Sequence, residues 1–347
     1  MRGNPRVKSF GPTARVLATS VLDSNLRGSP VASDDLAPPV EIVTDESVER
    51  IDRRVAPPPD DWVSRALYVG EHGARNWLGV VREPTYPLRD PNCYYLGANR
   101  LAAVRGRHPA TFVSLGPGDG LNELELIQTL SGPGPGKLRY IPVDISLSLL
   151  REAIANLRPH VELPVGILCD FEDGRDFLAG TLRRYGHPPT LFALLGGTVG
   201  NLDNGEQRFF AWVRSLLGAG DGFLLDIPLA GPDWTPADEP RLKPEAYTSA
   251  FRRFLCEAID RNDCDGAAAV FEQRVELSLT RDAATDAEVV LVADRFRRRA
   301  VLTFRRYRWE PLLSWFRSQG FAVEFARSSI TSDRDKFGMG VVMLATR

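Results

Sequence analysis

The sequence predicts an α/β fold: a doubly wound, mainly parallel sheet with an inserted α+β cap. Three observations carry that expectation. Short apolar runs alternate with amphipathic stretches of roughly 10–14 residues, the rhythm of successive βαβ units whose strands are covered on both faces. The first run ends in the glycine-rich turn Gly116-Pro117-Gly118-Asp119-Gly120, and the next two end in Asp144 and Asp170. After Ile227 the rhythm breaks at a proline-rich stretch and resumes as alternating strands.

Taken in order, Thr111–Leu115 is expected as the first strand, followed by a helix through Leu130. Lys137–Val143 comes next, with Ser146 placed to cap a helix from Leu147 to Arg158. Val161–Cys169, Thr190–Leu195 and Gly222–Ile227 complete the parallel strands, with a helix at Glu206–Leu217 before the last. A helix over Pro244–Asp260 then precedes strands near Phe271–Thr280, Glu288–Asp294 and Arg299–Arg306. Trp309–Gln319 reads as a helix stopped by Gly320, and Phe321–Ala326 with Gly338–Ala345 as a closing strand pair.

The organisation expected from this is a disordered segment over residues 1–60, a helical lead-in over 61–107 and a ligand-binding α/β domain over 108–227. A cap follows over 228–306, and residues 307–347 close the α/β domain. Residues 1–60 are rich in Ser, Pro, Gly and Asp, with one apolar patch at Val40–Val43 able to dock. Deleting Met1–Val55 is therefore expected to leave thermal stability nearly unchanged.

Apolar residues make up 43% of the 347-residue chain and charged residues 25%, a composition suited to a globular core. The formal net charge of −2 gives no global bias toward nucleic acid or anionic membrane. No apolar run reaches the roughly 18 residues that a spanning helix needs, and no signal-peptide pattern opens the chain, so a cytoplasmic protein is expected. Cys93, Cys169, Cys256 and Cys264 fall in no metal-ligand spacing and are expected as reduced thiols, with no metal bound.

The candidate ligand site gathers at the strand ends. Gly116, Gly118 and Gly120 allow a tight turn and bare backbone at a helix N-terminus. Their G-x-G-x-G spacing differs from the dinucleotide fingerprint and suits a methionine moiety and a ribose, with no pyrophosphate to cradle. Asp144 offers two carboxylate oxygens to ribose hydroxyls. Asp170 offers an acceptor to an adenine amino group, and Phe171 a face for its ring. The fourth strand end, Gly196-Gly197-Thr198, leaves room beside such a ligand, and Asn201 presents both a donor and an acceptor. Together these residues predict S-adenosylmethionine as cofactor; a NAD-linked oxidoreductase is opposed by the glycine spacing.

Gly196-Gly197-Thr198-Val199-Gly200-Asn201, the glycine loop, Pro142-Val143-Asp144-Ile145-Ser146 and Cys169-Asp170-Phe171 resemble the ergothioneine-pathway histidine Nα-methyltransferase family. The resemblance runs from about Tyr68 to the C-terminus and implies a class I methyltransferase-like fold. It also implies an acceptor pocket formed by Asn201, by the substrate-facing Tyr68, and by Glu276 and Ser278 as readers of a side chain. The chain departs from the family where Thr85-Tyr86-Pro87-Leu88-Arg89 replaces Tyr-Tyr-Pro-Thr-Arg, and where Asn122 stands for a lysine. It departs again over Lys243–Asp260, where two pocket segments are not recognisable.

The function expected is N-methylation of an amino acid or related small amine. The alternatives are methylation of a carboxylate, peptide or RNA acceptor, or a catalytically silent S-adenosylmethionine-binding partner subunit. The arginines at 295–299 and 305–308 are expected on one solvated strand face, where one of them could pair with a substrate carboxylate.

Overall fold

The computed structural model describes residues 15–16, 40–46, 48, 64–84, 86, 95–131, 137–243, 247–259, 268–296 and 298–346. Most of the segment 1–60 therefore lies outside the described residues, as do Thr85, Pro87–Arg89, Cys93, Cys264 and Arg297.

One mixed sheet forms the frame. Its strands are β1 (Arg15–Val16), β2 (Ile42–Thr44), β3 (Thr111–Leu115), β4 (Arg139–Asp144), β5 (Gly166–Leu168), β6 (Thr190–Leu194), β7 (Gly222–Ala230), β11 (Phe321–Ser328) and β12 (Phe337–Thr346). They lie in the order β1-β2-β5-β4-β3-β6-β7-β12-β11. Strands β2 through β7 are mutually parallel, whereas β12 pairs antiparallel with both β7 and β11. The chain steps outward from β3 to β5, then returns past β3 to lay down β6. The switch in direction falls between β3 and β6, where an open α/β sheet leaves a crevice at its carboxyl edge.

Every residue of β3 and of β7 is buried, as expected of strands with both faces covered. Alternation divides their side chains between two cores. Val113 and Leu115 join Phe209, Phe210 and Phe316 on one face, while Phe112 joins Tyr140, Leu126 and Met343 on the other. Helix α4 (Leu147–Leu157) begins at Ser146, whose hydroxyl accepts from the Leu149 N–H at 3.5 Å.

The lead-in contains a 3-10 turn (Ser64–Tyr68), α1 (Gly70–Val81) and α2 (Leu96–Val104); α3 is Leu124–Ser131. Further on come α5 (Arg175–Tyr185), α6 (Glu206–Leu216), α7 (Ser249–Ile259), α8 (Ala268–Arg274) and α9 (Trp309–Ser318). The cap carries a second, antiparallel sheet in the order β10-β9-β8, from β8 (Val275–Asp282), β9 (Ala287–Asp294) and β10 (Arg299–Arg306). Leu67 and Val80 of the lead-in, Phe254 of α7 and Val275, Val292 and Val301 of the small sheet share one buried cluster. Lead-in and cap thus close over the sheet edge as one packed body. Tyr307 locks β10 to the main sheet, donating its N–H to the Pro228 carbonyl at 2.9 Å and accepting the Ala230 N–H at 3.0 Å.

Four expectations are corrected. Phe271 to Arg274 is helical, and β8 starts only at Val275, because Phe271 fills the cap core from α8. Cys256 is disulfide-bonded rather than reduced, while Cys169 is a buried free thiol. Arg305 and Arg306 are buried, not solvated, and each meets a carboxylate, Glu206 at 3.2 Å and Glu239 at 2.5 Å respectively. Finally, part of the segment expected to be disordered is ordered: Ile42–Thr44, overlapping the Val40–Val43 patch expected to be able to dock, adds a parallel strand beside β5, and Val43 packs in the core with Ile167. Among the described residues no helix is long and apolar enough to cross a membrane.

The docked strand reverses the expectation for the N-terminus. Removing residues 1–44 strips a hydrogen-bonded neighbour from β5 and opens the contact made by Val43. The melting temperature is expected to fall by about 4 °C or more, measured by calorimetry; an unchanged value would show that β2 contributes no stability.

Candidate functional site

The carboxyl ends of β3 and β6 open on two adjoining cavities. The glycine loop after β3 has left-handed backbone at Gly116 (φ +66°), Gly118 (φ +62°) and Gly120 (φ +77°), conformations that other residues enter at a cost. Gly116 and Gly118 line a cavity of about 600 Å³ together with Asn122, Glu123, Gly196 and Thr198. Gly120 has a different task. A Cβ there would stand 2.9 Å from Leu157 Cδ1 and 3.2 Å from Ala153 Cα, so its bareness serves the approach of α4 rather than a ligand.

Asp144 is buried at the end of β4, and its Oδ1 accepts the Ser146 N–H at 2.8 Å. Burial pushes its carboxyl up to about 7 against the pull of the Ser146, Gly118 and Ile145 amides. Asp144 therefore braces the glycine loop as well as facing it. Phe171 touches the same loop, its Cε1 3.8 Å from where a Gly116 Cβ would be.

Asp170 sits in a setting the sequence did not announce. Its Oδ2 takes Arg65 Nε at 2.6 Å, and its Oδ1 takes the Glu172 N–H at 3.0 Å. The same guanidinium reaches Asp173 at 2.5 Å, Asp203 at 3.1 Å and Glu172 at 3.5 Å. Burial raises the Asp170 and Glu172 carboxyls, the latter to about 7, although Arg65 opposes the shift. Asp203 also accepts the backbone N–H groups of Ser64 and Arg65 at 3.0 and 3.2 Å. This cluster fastens the lead-in turn to the strand ends and sets Tyr68 above them.

The turn after β6 is fixed from below. Buried Arg100 on α2 grips buried Asp226 on β7 through Nε and Nη2, and Asp226 Oδ2 accepts the Gly196 N–H at 2.9 Å. Beside Arg100, Glu123 receives the Ser114 hydroxyl at 2.7 Å on Oε1, while its buried Oε2 has no partner. Burial holds the Glu123 carboxyl up at about 7, opposed by Ser114 and Arg100.

The second cavity, of about 350 Å³, shares Trp77, Tyr86 and Gly196 with the first. Aromatic side chains dominate its wall, among them Tyr68, Trp77, Phe251, Phe254, Phe304 and Phe337. Gly197, expected beside the cofactor, lines this cavity instead, where a Cβ would meet Pro228 Cγ at 3.1 Å. Asn201 lies on the wall in a 3-10 turn (Thr198–Asn201) that β10 clamps: Arg305 donates to the Leu202 carbonyl at 2.6 Å, and Gly200 leaves no room for a Cβ, which would lie 2.9 Å from the Arg305 carbonyl oxygen.

Asn201 and Tyr68 are hydrogen-bonded side chain to side chain. Because Asn201 Oδ1 is buried without a partner, the amide nitrogen is the donor in that bond. Burial drives the Tyr68 hydroxyl pKa upward, so the phenol stays protonated.

Glu276 and Ser278 do not join this site. Both are exposed on β8, whereas Val275 and Leu277 pack toward the cap core. The two-residue period that put Glu276 and Ser278 on one face holds, but the apolar neighbours claim the inner face and turn the polar pair outward. The charged side chains that do line the cavity are Glu83, after α1, and Arg306, at the end of β10.

The family profile described as "Histidine-specific methyltransferase, SAM-dependent" matches residues 57–247. Among curated proteins none matches the sequence. Among solved structures the chain is similar to 1,6-didemethyltoxoflavin-N1-methyltransferase from Burkholderia thailandensis, with 11% identity, 84% of this chain and 95% of that chain covered, and a TM-score of 0.42. It is similar also to magnesium protoporphyrin IX methyltransferase from Synechocystis PCC 6803, with 10% identity, coverage of 81% and 94%, and a TM-score of 0.41. A glycopeptide N-methyltransferase shares 16% identity over 72% of this chain and 86% of its own, with a TM-score of 0.37.

The buried Glu123 carboxyl makes stability depend on pH. Folded, it keeps its proton to about pH 7, against an ordinary value of 4.5. Between those limits the native chain binds more protons than the unfolded chain, so its stability falls as pH rises and the penalty is complete above pH 7. Glu123→Gln is expected to raise the melting temperature by about 3 °C or more at pH 8 and to leave it nearly unchanged near pH 4. An equal change at both pH values would mean that the carboxyl is not held protonated.

Proposed function

The chain belongs to the S-adenosylmethionine-dependent, histidine-specific methyltransferase family, and from that premise we propose that it methylates the nitrogen of an amino acid or related small amine seated against Asn201. As a member of that family it is an enzyme, a methyltransferase that uses S-adenosylmethionine.

Residues lining the larger cavity, with Asp144, Asp170 and Phe171 buried or packed beside its glycine loop rather than on its wall, fit that cofactor. The buried Oε2 of Glu123, which has no partner, would accept an N–H from the ammonium of a methionine moiety. Gly116 and Gly118 offer bare backbone. Asp144 would take the ribose hydroxyls on the lone pairs left beside the Ser146 N–H, and Phe171 would face the adenine. Asp170 would contribute its Oδ1, since Arg65 occupies Oδ2. Bound there, S-adenosylmethionine supplies an electrophilic methyl carbon.

The observation that carries the acceptor reading is the buried, unpartnered Oδ1 of Asn201 in an aromatic cavity that adjoins the cofactor cavity through Gly196. An acceptor oxygen left unpaired inside a protein costs about 1–3 kcal/mol, which an incoming N–H recovers. By accepting one N–H, Asn201 fixes the direction of the nitrogen lone pair, and alignment of the nucleophile supplies most of the rate in such a transfer. Tyr68 holds the amide of Asn201 in place from the other side. The aromatic walls exclude water and so favour the neutral amine over its ammonium form, which makes a dedicated base unnecessary.

Asn201→Ala is accordingly expected to lower turnover by about a hundredfold or more while cofactor affinity, read by calorimetry, barely moves. Asp144→Ala should do the reverse first, weakening cofactor binding by about tenfold or more, the worth of one charge-assisted hydrogen bond. Full turnover in Asn201→Ala would sink the acceptor assignment, and unchanged affinity in Asp144→Ala the ribose assignment.

A further inference from the structure

Arg306 has more hydrogen-bonding capacity than its surroundings use. It is the last residue of β10, its side chain is 10% exposed, and it lines the smaller cavity. Its Nε donates to Glu239 Oε2 at 2.5 Å, and Glu239 is fully buried. The guanidinium carbon lies 4.4 Å from the centroid of Phe337 and 5.2 Å from that of Phe304, two rings that line the same cavity. A guanidinium carries five N–H donors in a planar fork. One is spent on Glu239, and among the described residues no partner meets the two terminal nitrogens.

We propose that Arg306 is an anion-reading residue of the acceptor pocket, taking a carboxylate of the acceptor on its terminal nitrogens. The inference rests on the reading of this cavity as the acceptor pocket. Three features favour a carboxylate. The fork matches two carboxylate oxygens and is rigid. Phe337 and Phe304 hold its plane and dry its surroundings, which strengthens a charged hydrogen bond. Glu239 neutralises the buried cation while the pocket is empty, so the site is stable without ligand yet keeps its donors free. The acceptor would therefore be anchored at two points, its amine at Asn201 and its carboxylate at Arg306. That carboxylate is either the α-carboxylate of an amino acid or an acid group on its side chain.

Calorimetry on the full chain loaded with S-adenosylhomocysteine tests the inference with named probes. Histidine is compared with histamine, tyrosine with tyramine, glutamate with 4-aminobutyrate, and glutamate with glutamine. The first three pairs remove the α-carboxylate; the last removes the side-chain acid. At least one acid is expected to bind about tenfold or more tighter than its partner. The double change Arg306→Gln with Glu239→Gln, which keeps the wall neutral, should bring that ratio to near one and leave S-adenosylhomocysteine affinity unaltered. Arg306→Lys, with a point charge and no fork, should retain only part of it. Equal affinities within every pair, or a preference that survives the double change, overturns the proposal. If the amines bind as well as their acids, the Arg306 assignment fails while the amine reading stands. If no probe binds to protein that holds S-adenosylhomocysteine, both fail together.

Discussion

The arrangement depends on one buried ion pair, that of Arg100 with Asp226. Each partner comes from a different layer, α2 in the lead-in and β7 in the interior of the sheet, and both are buried. The carboxylate has a second commitment, since it holds the Gly196 amide and with it the turn that separates the two cavities. Removing either partner would leave an uncompensated buried charge, a loss of about 3–5 kcal/mol, and would release the turn at the same time. Stability and site geometry are here carried by the same atoms.

A similar economy governs the lead-in. Arg65 binds four carboxylates that end or follow β5 and β6, and three residues later the chain delivers Tyr68 to Asn201. The cap then completes the enclosure from the far side, because β10 both clamps the Asn201 turn and places Arg306. The sheet edge lines the larger cavity, and the body made by lead-in and cap encloses most of the smaller. Their boundary runs through Trp77, Tyr86 and Gly196.

What the sequence made legible was the punctuation of the parallel strands. Gly116, Asp144 and Gly196 stand where strands stop, and such residues are visible because they break an apolar run. The alternation of strand and helix gave the doubly wound sheet in the same way. Interactions across long separations left no such trace. Arg100 and Asp226 are 126 positions apart, and nothing near either one marks the other. Arg306 looked like one of a basic run until β10 was seen to turn it inward. Parity failed at Glu276 and Ser278 for a related reason: a two-residue period says that they share a face but not which face is inside. Val40–Val43 was legible as a patch able to dock but not as a strand, since three residues cannot declare a strand without the neighbour that pairs with them.

The wall shared by the two cavities ties their occupants together. Trp77 and Tyr86 border both, so, with the proposed occupants, an acceptor that shifts either ring would alter the space left to the cofactor. Linkage then requires the influence to run equally in both directions: whatever factor the first arrival imposes on the affinity of the second is returned unchanged when the order is reversed. Cooperation or antagonism between the two ligands is therefore written into two aromatic rings, and a substitution at either would change the coupling without removing a contact to any reacting atom.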